Sequence, residues 1–308
     1  MKKLMLLIAA LMAIVTVDAK PKQEASELNL RIGSYNVWSH SARKWALRKA
    51  PTIYETRNWD ASKKSVAKLI NKLDCDLIGM QEMTSVCRDD LKKLVSKKYE
   101  LWWVNTYPEG HKSVVGNAVF FKKKAFELSE QAIYYFSHTP EVMSKGWDCK
   151  RHYRAALTAV VTHKKSGKKF FFIATHGPLK KEANGHAGRL LVEFDKKYNK
   201  EGLPTIVVGD MNARPGQTFH NYMLKHFEDS FLVAKEKCET IGTFNGSGER
   251  EKNFTLPNRR IDHIYVRSTD KGKVTVNRYE VNRDKLKCGG VKHYPSDHNP
   301  VYVDLTIK

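Results

Sequence analysis

The sequence predicts an α/β fold in which mixed β-sheets are flanked by helices, and three observations support this prediction. Short apolar runs that stop at polar residues recur along the chain, as expected for β-strands. Apolar residues at helical spacing lie between some of these runs. Two of the runs are joined by a turn-like segment at 164–167, which indicates a hairpin. Strands and helices therefore do not alternate strictly, which favours mixed sheets over a purely parallel barrel.

The strands are the clearest elements. The first alternates polar and apolar residues before it stops at Asn36, and the second is a short apolar run that ends at Gln81 and Glu82. The remaining runs are rich in β-branched and aromatic residues, which favour strands. In chain order, strands are predicted at 30–35, 76–80, 155–162, 168–175, 205–208, 261–266 and 300–307.

Three helices are predicted between the strands. The first follows Asp60, a suitable N-cap residue, because the apolar positions 66, 69, 70 and 73 share one helical face. The second lies within 188–198 and the third at 218–227. These helices have apolar faces that can cover a sheet.

The composition is that of a globular protein. A chain of 308 residues with 41% hydrophobic and 28% charged residues can bury a sizeable core, and it is unlike collagen or low-complexity disorder. The mean hydropathy of −0.53 excludes a multi-span membrane protein. A net charge of +21 fits a polyanionic partner such as nucleic acid or an anionic surface. Lysines scattered over a solvated surface would give the same total.

The N-terminus has the pattern of a secretory signal peptide at 1–19. Lys2 and Lys3 precede an apolar run at 4–17, and small residues allow cleavage near Ala19. The run is shorter than the ~20 residues of a membrane span, although a retained anchor is the alternative. We expect a secreted or periplasmic protein, with a polar linker at 20–27 and one domain at 28–308. Five cysteines without a CxxC motif indicate neither a disulfide framework nor a zinc cluster.

Polar or ionisable side chains stand at the strand ends. A carboxylate beside an apolar strand is costly unless it is paired or binds a cation. Taken singly, Asp210 can belong to a turn, His176 can be a hydrogen-bonded core histidine and Glu82 can form a surface ion pair. Taken together, they suggest a common site at one rim of the sheets. The set comprises Asn36, Glu82, His176, Asp210, Asn212, Asp262, Asp297 and His298.

Six short motifs occur in a characteristic order along the chain. They are Ser34-Tyr35-Asn36-Val37-Trp38, Gly79-Met80-Gln81-Glu82-Met83, Ala174-Thr175-His176-Gly177-Pro178, Gly209-Asp210-Met211-Asn212-Ala213-Arg214-Pro215, Arg260-Ile261-Asp262-His263-Ile264-Tyr265-Val266 and Ser296-Asp297-His298-Asn299-Pro300-Val301. This series resembles that of the endonuclease/exonuclease/phosphatase superfamily, which includes DNase I. The resemblance implies a four-layer sandwich of two packed mixed sheets with helices outside. It also implies metal-dependent hydrolysis of phosphoester bonds.

The resemblance assigns metal ligands. Glu82 matches the main metal carboxylate of the family, and Asn36 and Asp297 match residues near the same ion. Mg²⁺ suits this role because it prefers hard oxygen ligands and leaves positions open for phosphate and water. Mn²⁺ is an alternative, and Ca²⁺ can serve as a supporting ion. One or two bound ions are both compatible with the pattern.

The resemblance also assigns catalytic roles. His298 matches the general base, with Asp262 as the carboxylate that orients it. Asp210 is the alternative base. Asp210 and Asn212 match residues that position water, phosphate or a second metal, and His176 matches a histidine that acts as an acid or stabilises developing charge.

Two loops suggest the substrate. Residues 38–59 and 243–260 mix basic residues with aromatics, which can follow a phosphate backbone and stack on bases, or which pack beneath the loops. Arg154, by the resemblance, and Phe244 are predicted to bind substrate. Nucleic acid is the favoured substrate, cleaved by a monomer without a stable protein partner. The alternatives are a phosphomonoesterase or phospholipase C-like enzyme acting on inositol phosphates or sphingomyelin, and a non-catalytic binding protein.

Overall fold

The computed structural model describes residues 27–111, 115–239 and 241–308. The predicted signal peptide at 1–19 and residues 20–26 of the predicted linker lie outside these ranges. The strands are, in chain order, β1 Leu28–Asn36, β2 Leu77–Thr84, β3 Tyr99–Asn105, β4 Val115–Lys122, β5 Phe126–Tyr135, β6 Ala155–His163, β7 Lys169–His176, β8 Thr205–Asp210, β9 Glu228–Asp229, β10 Glu236–Lys237, β11 Asp262–Arg267, β12 Val274–Val281, β13 Leu286–Cys288, β14 Val291–His293 and β15 Val301–Ile307.

The strands form two large mixed sheets and a small hairpin. The first sheet has the order β10-β12-β15-β1-β2-β4-β3, and the second has the order β5-β6-β7-β8-β11-β9. β13 and β14 pair separately. Each large sheet contains a central parallel pair, β1 with β2 in the first and β7 with β8 in the second. The predicted hairpin is confirmed, because β6 and β7 pair antiparallel.

Helices cover the outer faces of both sheets. They are α1 His40–Ala46, α2 Pro51–Arg57, α3 Trp59–Leu73, α4 Ser85–Val95, α5 Lys181–Tyr198, α6 Thr218–Met223 and α7 Ser230–Val233, with short 3₁₀ helices at Glu251–Thr255 and Pro257–Arg259. None of the helices in the described ranges is long and apolar enough to cross a membrane.

Three apolar layers hold the sandwich together. The central layer joins the inner faces of the two sheets, with Ile32 and Val119 from the first and Phe172 and Ile264 from the second. A second layer packs α3 and α4 on the outside of the first sheet. A third packs α5 and α6 on the outside of the second sheet. The order helix–sheet–sheet–helix confirms the predicted four-layer fold.

The two sheets are in close contact near the strand ends that carry polar residues. Gly79 in β2 faces Val208 in β8, and a Cβ atom at position 79 would collide with the Val208 Cγ2 methyl and press on Ala174. A glycine is therefore required at this point, because any side chain would push the sheets apart.

Two helix starts differ from the prediction. α3 begins after Asn58, whose side chain accepts the Ala61 N–H at 2.9 Å, so Asp60 is not the N-cap and instead pairs with Lys63. α5 begins at Lys181, seven residues before the predicted start. Its first turn is capped from a distant segment, because Asp148 accepts the N–H of residue 183 at 2.9 Å. A cap supplied 35 residues away leaves no local signal in the sequence.

Candidate active site

The strand topology brings the predicted site residues to one rim. Asn36 ends β1, and His176 and Asp210 end the parallel neighbours β7 and β8, where they stand opposite each other. Asp262 begins β11, which runs antiparallel to β8 and places Asp262 opposite Asp210. Glu82 lies near the end of β2, beside β1. The polar residues at these strand ends, from both sheets, therefore lie at the same edge of the sandwich.

A cleft of about 490 Å³ opens at this rim. Eight of the ten predicted site residues line it, while Asn36 and Asp262 lie behind them and hold them by hydrogen bonds. The lining residues are Glu82, Arg154, His176, Leu179, Asp210, Asn212, Arg214, Gln217, Phe244, Asn258, Arg259, Ile261, Asp297 and His298.

Glu82 is held in place by an irregularity in its strand. The pairing of β2 with β4 shifts register between Met80 and Met83, and Glu82 takes a positive φ of 58° within this bulge. Its carboxylate accepts the Ser39 N–H at 3.0 Å and the Asn36 Nδ2 amide at 3.3 Å. Bulges frequently re-aim a side chain beside an active site.

The Glu82 carboxylate is ionised. Burial alone would raise its pKa, but the attraction of His176, the Ser39 hydrogen bond and the charge of Arg154 outweigh burial. The pKa of Glu82 is therefore lowered from its ordinary value. Its charge faces the cleft without an ion-pair partner in the described residues.

His298 lies between two carboxylates. Its Nδ1 atom is 2.8 Å from Asp262 Oδ2, and its Nε2 atom is 3.7 Å from Asp210 Oδ2. Thr243 donates its hydroxyl to the same Asp262 oxygen at 2.6 Å, which fixes that carboxylate. Burial disfavours the imidazolium, but the two carboxylates outweigh burial and raise the pKa of His298 well above its ordinary value.

His176 and Asp210 form a second contact at the centre of the rim. His176 Nε2 is 3.4 Å from Asp210 Oδ2, and that carboxylate also accepts the Asn36 amide at 3.0 Å and the Asn212 N–H at 2.9 Å. Burial and the repulsion of Arg154 lower the pKa of His176. Burial would raise the pKa of Asp210, but His298 and His176 outweigh it and hold the pKa below its ordinary value.

Asp297 joins the rim through the turn before β15. Its backbone carbonyl accepts the N–H groups of Asn245 and Gly246 at 2.9 and 3.0 Å, which ties it to the loop that carries Phe244. Burial raises the pKa of Asp297 to about 6; the attraction of His298 opposes this rise, and the repulsion of Glu82 adds to it. A divalent cation between such carboxylates would relieve their repulsion.

The donor set fits a divalent cation. Glu82, Asp210 and Asp297 present carboxylates to the same cleft, and ligand atoms of Asp210, Asp262 and His298 all lie within 4.8 Å of one another. Asp262 Oδ2 is already engaged by His298 and Thr243, which leaves the first three carboxylates as the oxygen donors. Asn36 is arranged differently from a direct ligand: its Oδ1 accepts the Trp38 N–H, and its Nδ2 donates to the carboxylates. Hard oxygen donors of this kind suit Mg²⁺ or Mn²⁺.

A second cluster, His220, Asp229 and His263, does not fit a cation. The Arg260 guanidinium already donates to Asp229 at 2.7 Å, and it also contacts His263 Nδ1 at 3.1 Å. A cation at this place would be repelled by the arginine. The cluster is a buried hydrogen-bond network beneath the rim.

The predicted substrate-binding residues both reach the cleft. Arg154 lines it and has a buried Nε atom without a hydrogen-bond partner in the described chain. The Phe244 ring lies 4.9 Å from the His298 ring, centroid to centroid. Arg259 also lines the cleft with an unpaired buried Nε, and sequence reasoning placed it only within a basic loop.

The two basic-aromatic loops are folded only partly inward, because Lys44, Arg48, Arg250 and Lys252 are exposed. In residues 38–59, Trp38, Trp59, Arg43 and Arg57 are buried, whereas Trp45 is exposed. In residues 243–260, Phe254 and Arg260 are buried as well. The packing alternative holds for these side chains, and they offer no surface to an extended polymer.

Thr243 and Ser39 were missed as site residues by sequence reasoning. Thr243 orients Asp262 across a loop of 19 residues, and Ser39 acts through its backbone N–H. The role of Ser39 leaves no signal in the sequence, because any residue other than proline offers an N–H group. The role of Thr243 leaves none because its partner is distant along the chain. For Ser39, only the structure identifies the contact.

The four-layer sandwich and its rim of carboxylates and imidazoles define a phosphoesterase of the DNase I-like class. The chain belongs to the Endonuclease/Exonuclease/phosphatase family, whose model matches residues 33–298. The predicted family is thereby confirmed. A comparison with curated proteins finds no match.

Solved structures agree with this assignment. An endonuclease/exonuclease/phosphatase family protein from Bacteroides thetaiotaomicron is 25% identical, with a TM-score of 0.78 over 91% of this chain and 98% of that chain. A mannosyl-6-phosphatase from the same organism is 25% identical, with a TM-score of 0.76 over 90% and 99%. D. rerio TDP2, complexed with single-strand DNA product, is 20% identical, with a TM-score of 0.66 over 90% and 98%. The last similarity concerns the fold alone.

Proposed function

We propose that this protein is a divalent-metal-dependent phosphoesterase that hydrolyses the phosphate ester of a compact substrate with an activated water. The main observation behind this proposal is the Asp262–His298 pair, whose histidine lines the same cleft as Glu82, Asp210 and Asp297. Such a pair can move a proton where carboxylates can hold a cation and a phosphate.

The chain supplies the proton-handling groups. Nδ1–H of His298 donates to Asp262, which leaves Nε2 facing the cleft as the atom that exchanges a proton with the reacting water. The flanking carboxylates stabilise the imidazolium that forms when Nε2 accepts a proton. Asp210, held ionised, is the alternative acceptor.

Glu82, Asp297 and Asp210 would hold Mg²⁺ or Mn²⁺. When bound, the cation neutralises the phosphate oxygens and lowers the pKa of coordinated water. Asn36 keeps Glu82 and Asp210 in place by donating to both carboxylates at 3.3 and 3.0 Å.

Three cleft arginines support an anionic substrate. Arg154, Arg214 and Arg259 line the cleft, and none forms an ion pair with another described residue. A planar guanidinium binds phosphate oxygens in a bidentate manner. The unpaired Nε donors of Arg154 and Arg259 can be satisfied by such a ligand.

The size of the cleft favours a small phosphate ester. About 490 Å³ is within the range of sites that enclose small molecules. The similarity to a mannosyl-6-phosphatase supports a hexose phosphate, and the buried side chains of the basic-aromatic loops, such as Trp38, Arg57 and Phe254, cannot contact a long strand. Nucleic acid is the second candidate, because the net charge is +21 and Phe244 offers a ring in the cleft.

A substrate panel tests this proposal. Mannose 6-phosphate, glucose 6-phosphate, plasmid DNA and RNA are incubated with Mg²⁺, Mn²⁺ or EDTA, and released phosphate and chain cleavage are measured. We expect phosphate release from the sugar phosphates only with the cations. Cleavage of DNA or RNA without sugar-phosphate hydrolysis would reverse the ranking of the two candidates.

Glu82→Gln tests the cation requirement. Removal of this charge should lower kcat by at least ~10²-fold and raise the Mg²⁺ concentration required, because a neutral amide is a poorer ligand. Glu127→Gln, which changes the same charge at an exposed position on β5, should leave both values unchanged. Full activity of wild-type protein in EDTA would exclude the metal mechanism.

We also propose that the protein is exported through the signal at 1–19. The charged start and the apolar run support this proposal. N-terminal sequencing of protein recovered from the native host should begin near Lys20. Recovery of protein that starts at Met1 would contradict it.

A further inference from the structure

Arg43 is a fully buried cation whose partners are all uncharged. Its side chain has 0% exposure, and all five of its N–H donors are used. They bond the carbonyls of Val37, Trp38, Arg57 and Pro295 and the Ser62 hydroxyl at 2.7–3.0 Å. Burial of a guanidinium costs several kcal/mol unless such partners offset it, so Arg43 can stay buried only while these hydrogen bonds are kept.

Three of the five partners of Arg43 belong to the two segments that carry predicted metal-site residues. Val37 and Trp38 directly follow Asn36, and Pro295 precedes Asp297 by two residues. The bond to the Pro295 carbonyl spans 252 positions of the sequence. The guanidinium therefore joins the end of β1 to the turn before β15, and the Ser62 bond anchors it to α3.

Arg57 and Trp38 complete this unit. Both guanidiniums contact the Trp38 ring, each 4.9 Å from the ring centroid, and Trp38 has a positive φ of 55°. Arg57 donates to the carbonyls of Tyr294 and Ser296 at 3.4 and 3.5 Å. Arg57 also donates to the Ser247 carbonyl and lies 3.5 Å from the Glu249 carboxylate, so it ties the turn before β15 to the 243–260 loop. Arg43, by contrast, bonds both the end of β1 and that turn.

We propose that Arg43 is a positioning residue that sets the divalent-cation affinity of the site, by holding the Asn36 and Asp297 segments at a fixed separation. This inference rests on the proposed function, because it takes these segments as part of a metal site. A lysine cannot replace Arg43, since one ammonium with three donors cannot reach five acceptors spread around a planar fork.

Mn²⁺ affinity is the direct test. Free Mn²⁺ is titrated by electron paramagnetic resonance against wild-type protein, Arg43→Lys and the control Arg31→Lys. Arg43→Lys should raise the Mn²⁺ Kd by about 10–100-fold, the usual loss when a group supporting metal ligands is changed. Arg31 pairs with Asp304 away from the rim at 2.7 Å, so its variant should lower Tm without changing Kd.

The outcomes separate this inference from the proposed function. An unchanged Kd in folded Arg43→Lys overturns the role of Arg43 and leaves the phosphoesterase proposal intact. Mn²⁺ binding without phosphate release from any substrate overturns the phosphoesterase proposal alone. Absence of Mn²⁺ binding by wild-type protein overturns both.

Ser62→Ala is the second variant, in case Arg43→Lys does not fold. It removes one of the five acceptors and keeps the guanidinium. Loss of one hydrogen bond, about 0.5–1.5 kcal/mol, corresponds to roughly a two- to tenfold rise in Kd if positioning and binding are coupled. An unchanged Kd in this variant also contradicts the inference.

Discussion

At the scale of single residues, His298 has one fixed and one reactive nitrogen. The short contact with Asp262 at 2.8 Å orients the ring, and Nε2, 3.7 Å from Asp210 and so beyond hydrogen-bond distance, faces the cleft. Thr243 prevents Asp262 from turning away, because its hydroxyl donates to the same carboxylate oxygen. The reactive geometry therefore depends on three side chains from separate segments.

His298→Ala and Asp262→Asn test this geometry. Each variant should lower kcat/KM by at least ~10²-fold, because the first removes the proton acceptor and the second loses the charge that stabilises the imidazolium. Initial rates on the best substrate of the panel give the values. The control His163→Ala changes a histidine at the far end of β6 whose side chain contacts Ser166 and Phe126, away from the cleft, and it should retain wild-type rates. Near-normal turnover of folded His298→Ala would transfer the proton-accepting role to Asp210.

At the scale of elements, a buried network fastens the loop that follows β8. Asp229 in β9 accepts the Arg260 guanidinium at 2.7 Å and His220 of α6 at 2.9 Å. His263 of β11 is 2.9 Å, through Nε2, from the Ala213 carbonyl, one residue beyond Asn212. The network thus connects two strands and a helix to the segment that carries site residues.

The charge of Asp229 gives the network a defined pH dependence. Burial raises its pKa, but hydrogen bonds from His220 and His263 and the charge of Arg260 hold it well below the ordinary value. A lowered carboxyl pKa adds stability above the unfolded-state pKa of ~3.9, and this stability is lost as the pH falls toward the folded-state pKa.

Asp229→Asn should therefore destabilise the protein most at neutral pH. We expect a loss of ~3–5 kcal/mol in the free energy of unfolding at pH 7, because Arg260 is left buried without its counter-charge. Urea unfolding from pH 7 to pH 3 should show the gap between variant and wild type narrowing below about pH 4. A gap that stays constant across this range would show that Asp229 does not act through its charge.

Some elements were legible in the sequence, and others were not. β7 and β8 are continuous apolar runs because both of their faces are covered, and such runs are visible in a single sequence. β5 lies at a sheet edge and shifts register between Ser129 and Ala132, which breaks the alternation that would reveal it. The segment of α1 and α2 also lacks a periodic apolar face, because buried Arg43 and Arg57 stand where apolar residues are expected.

The site residues also fall into those that the sequence reveals and those that it does not. Strand-end residues such as Asp210 were predictable because a polar group that closes an apolar run is conspicuous. Thr243 and Arg43 were not, because their roles arise from contacts that join segments 19 and 252 residues apart. A single sequence carries no direct sign of such contacts.

At the scale of the whole molecule, the site depends on the spacing of the two sheets. Asn36 and Glu82 come from the first sheet, and His176, Asp210 and Asp262 come from the second. The hydrogen bond from Asn36 to Asp210 at 3.0 Å crosses between the sheets. Any change in their separation is therefore transmitted to the cleft.

Gly79→Ala tests this dependence. The added Cβ would collide with Val208, and overpacking of this kind costs ~1–3 kcal/mol. We expect a lower Tm and, at temperatures where the variant is folded, a lower kcat, because the Asn36–Asp210 contact is stretched. Gly248→Ala adds the same methyl group where only the Arg250 side chain is near, and it should change neither value. Unaltered kcat in a destabilised Gly79→Ala would mean that the rim tolerates movement of the sheets.

The position of β15 has a consequence for biosynthesis. β15 lies between β12 and β1, so Ile307 pairs with Leu28 and the first sheet cannot be completed until residues 301–307 have left the ribosome. β5 to β8, by contrast, come from the contiguous stretch 126–210 and can associate while translation continues. Asp297 and His298 stand immediately before β15, so they reach the rim in the same late step. During translation, the rim carboxylates Glu82, Asp210 and Asp262 are therefore synthesised well before His298 can pair with Asp262.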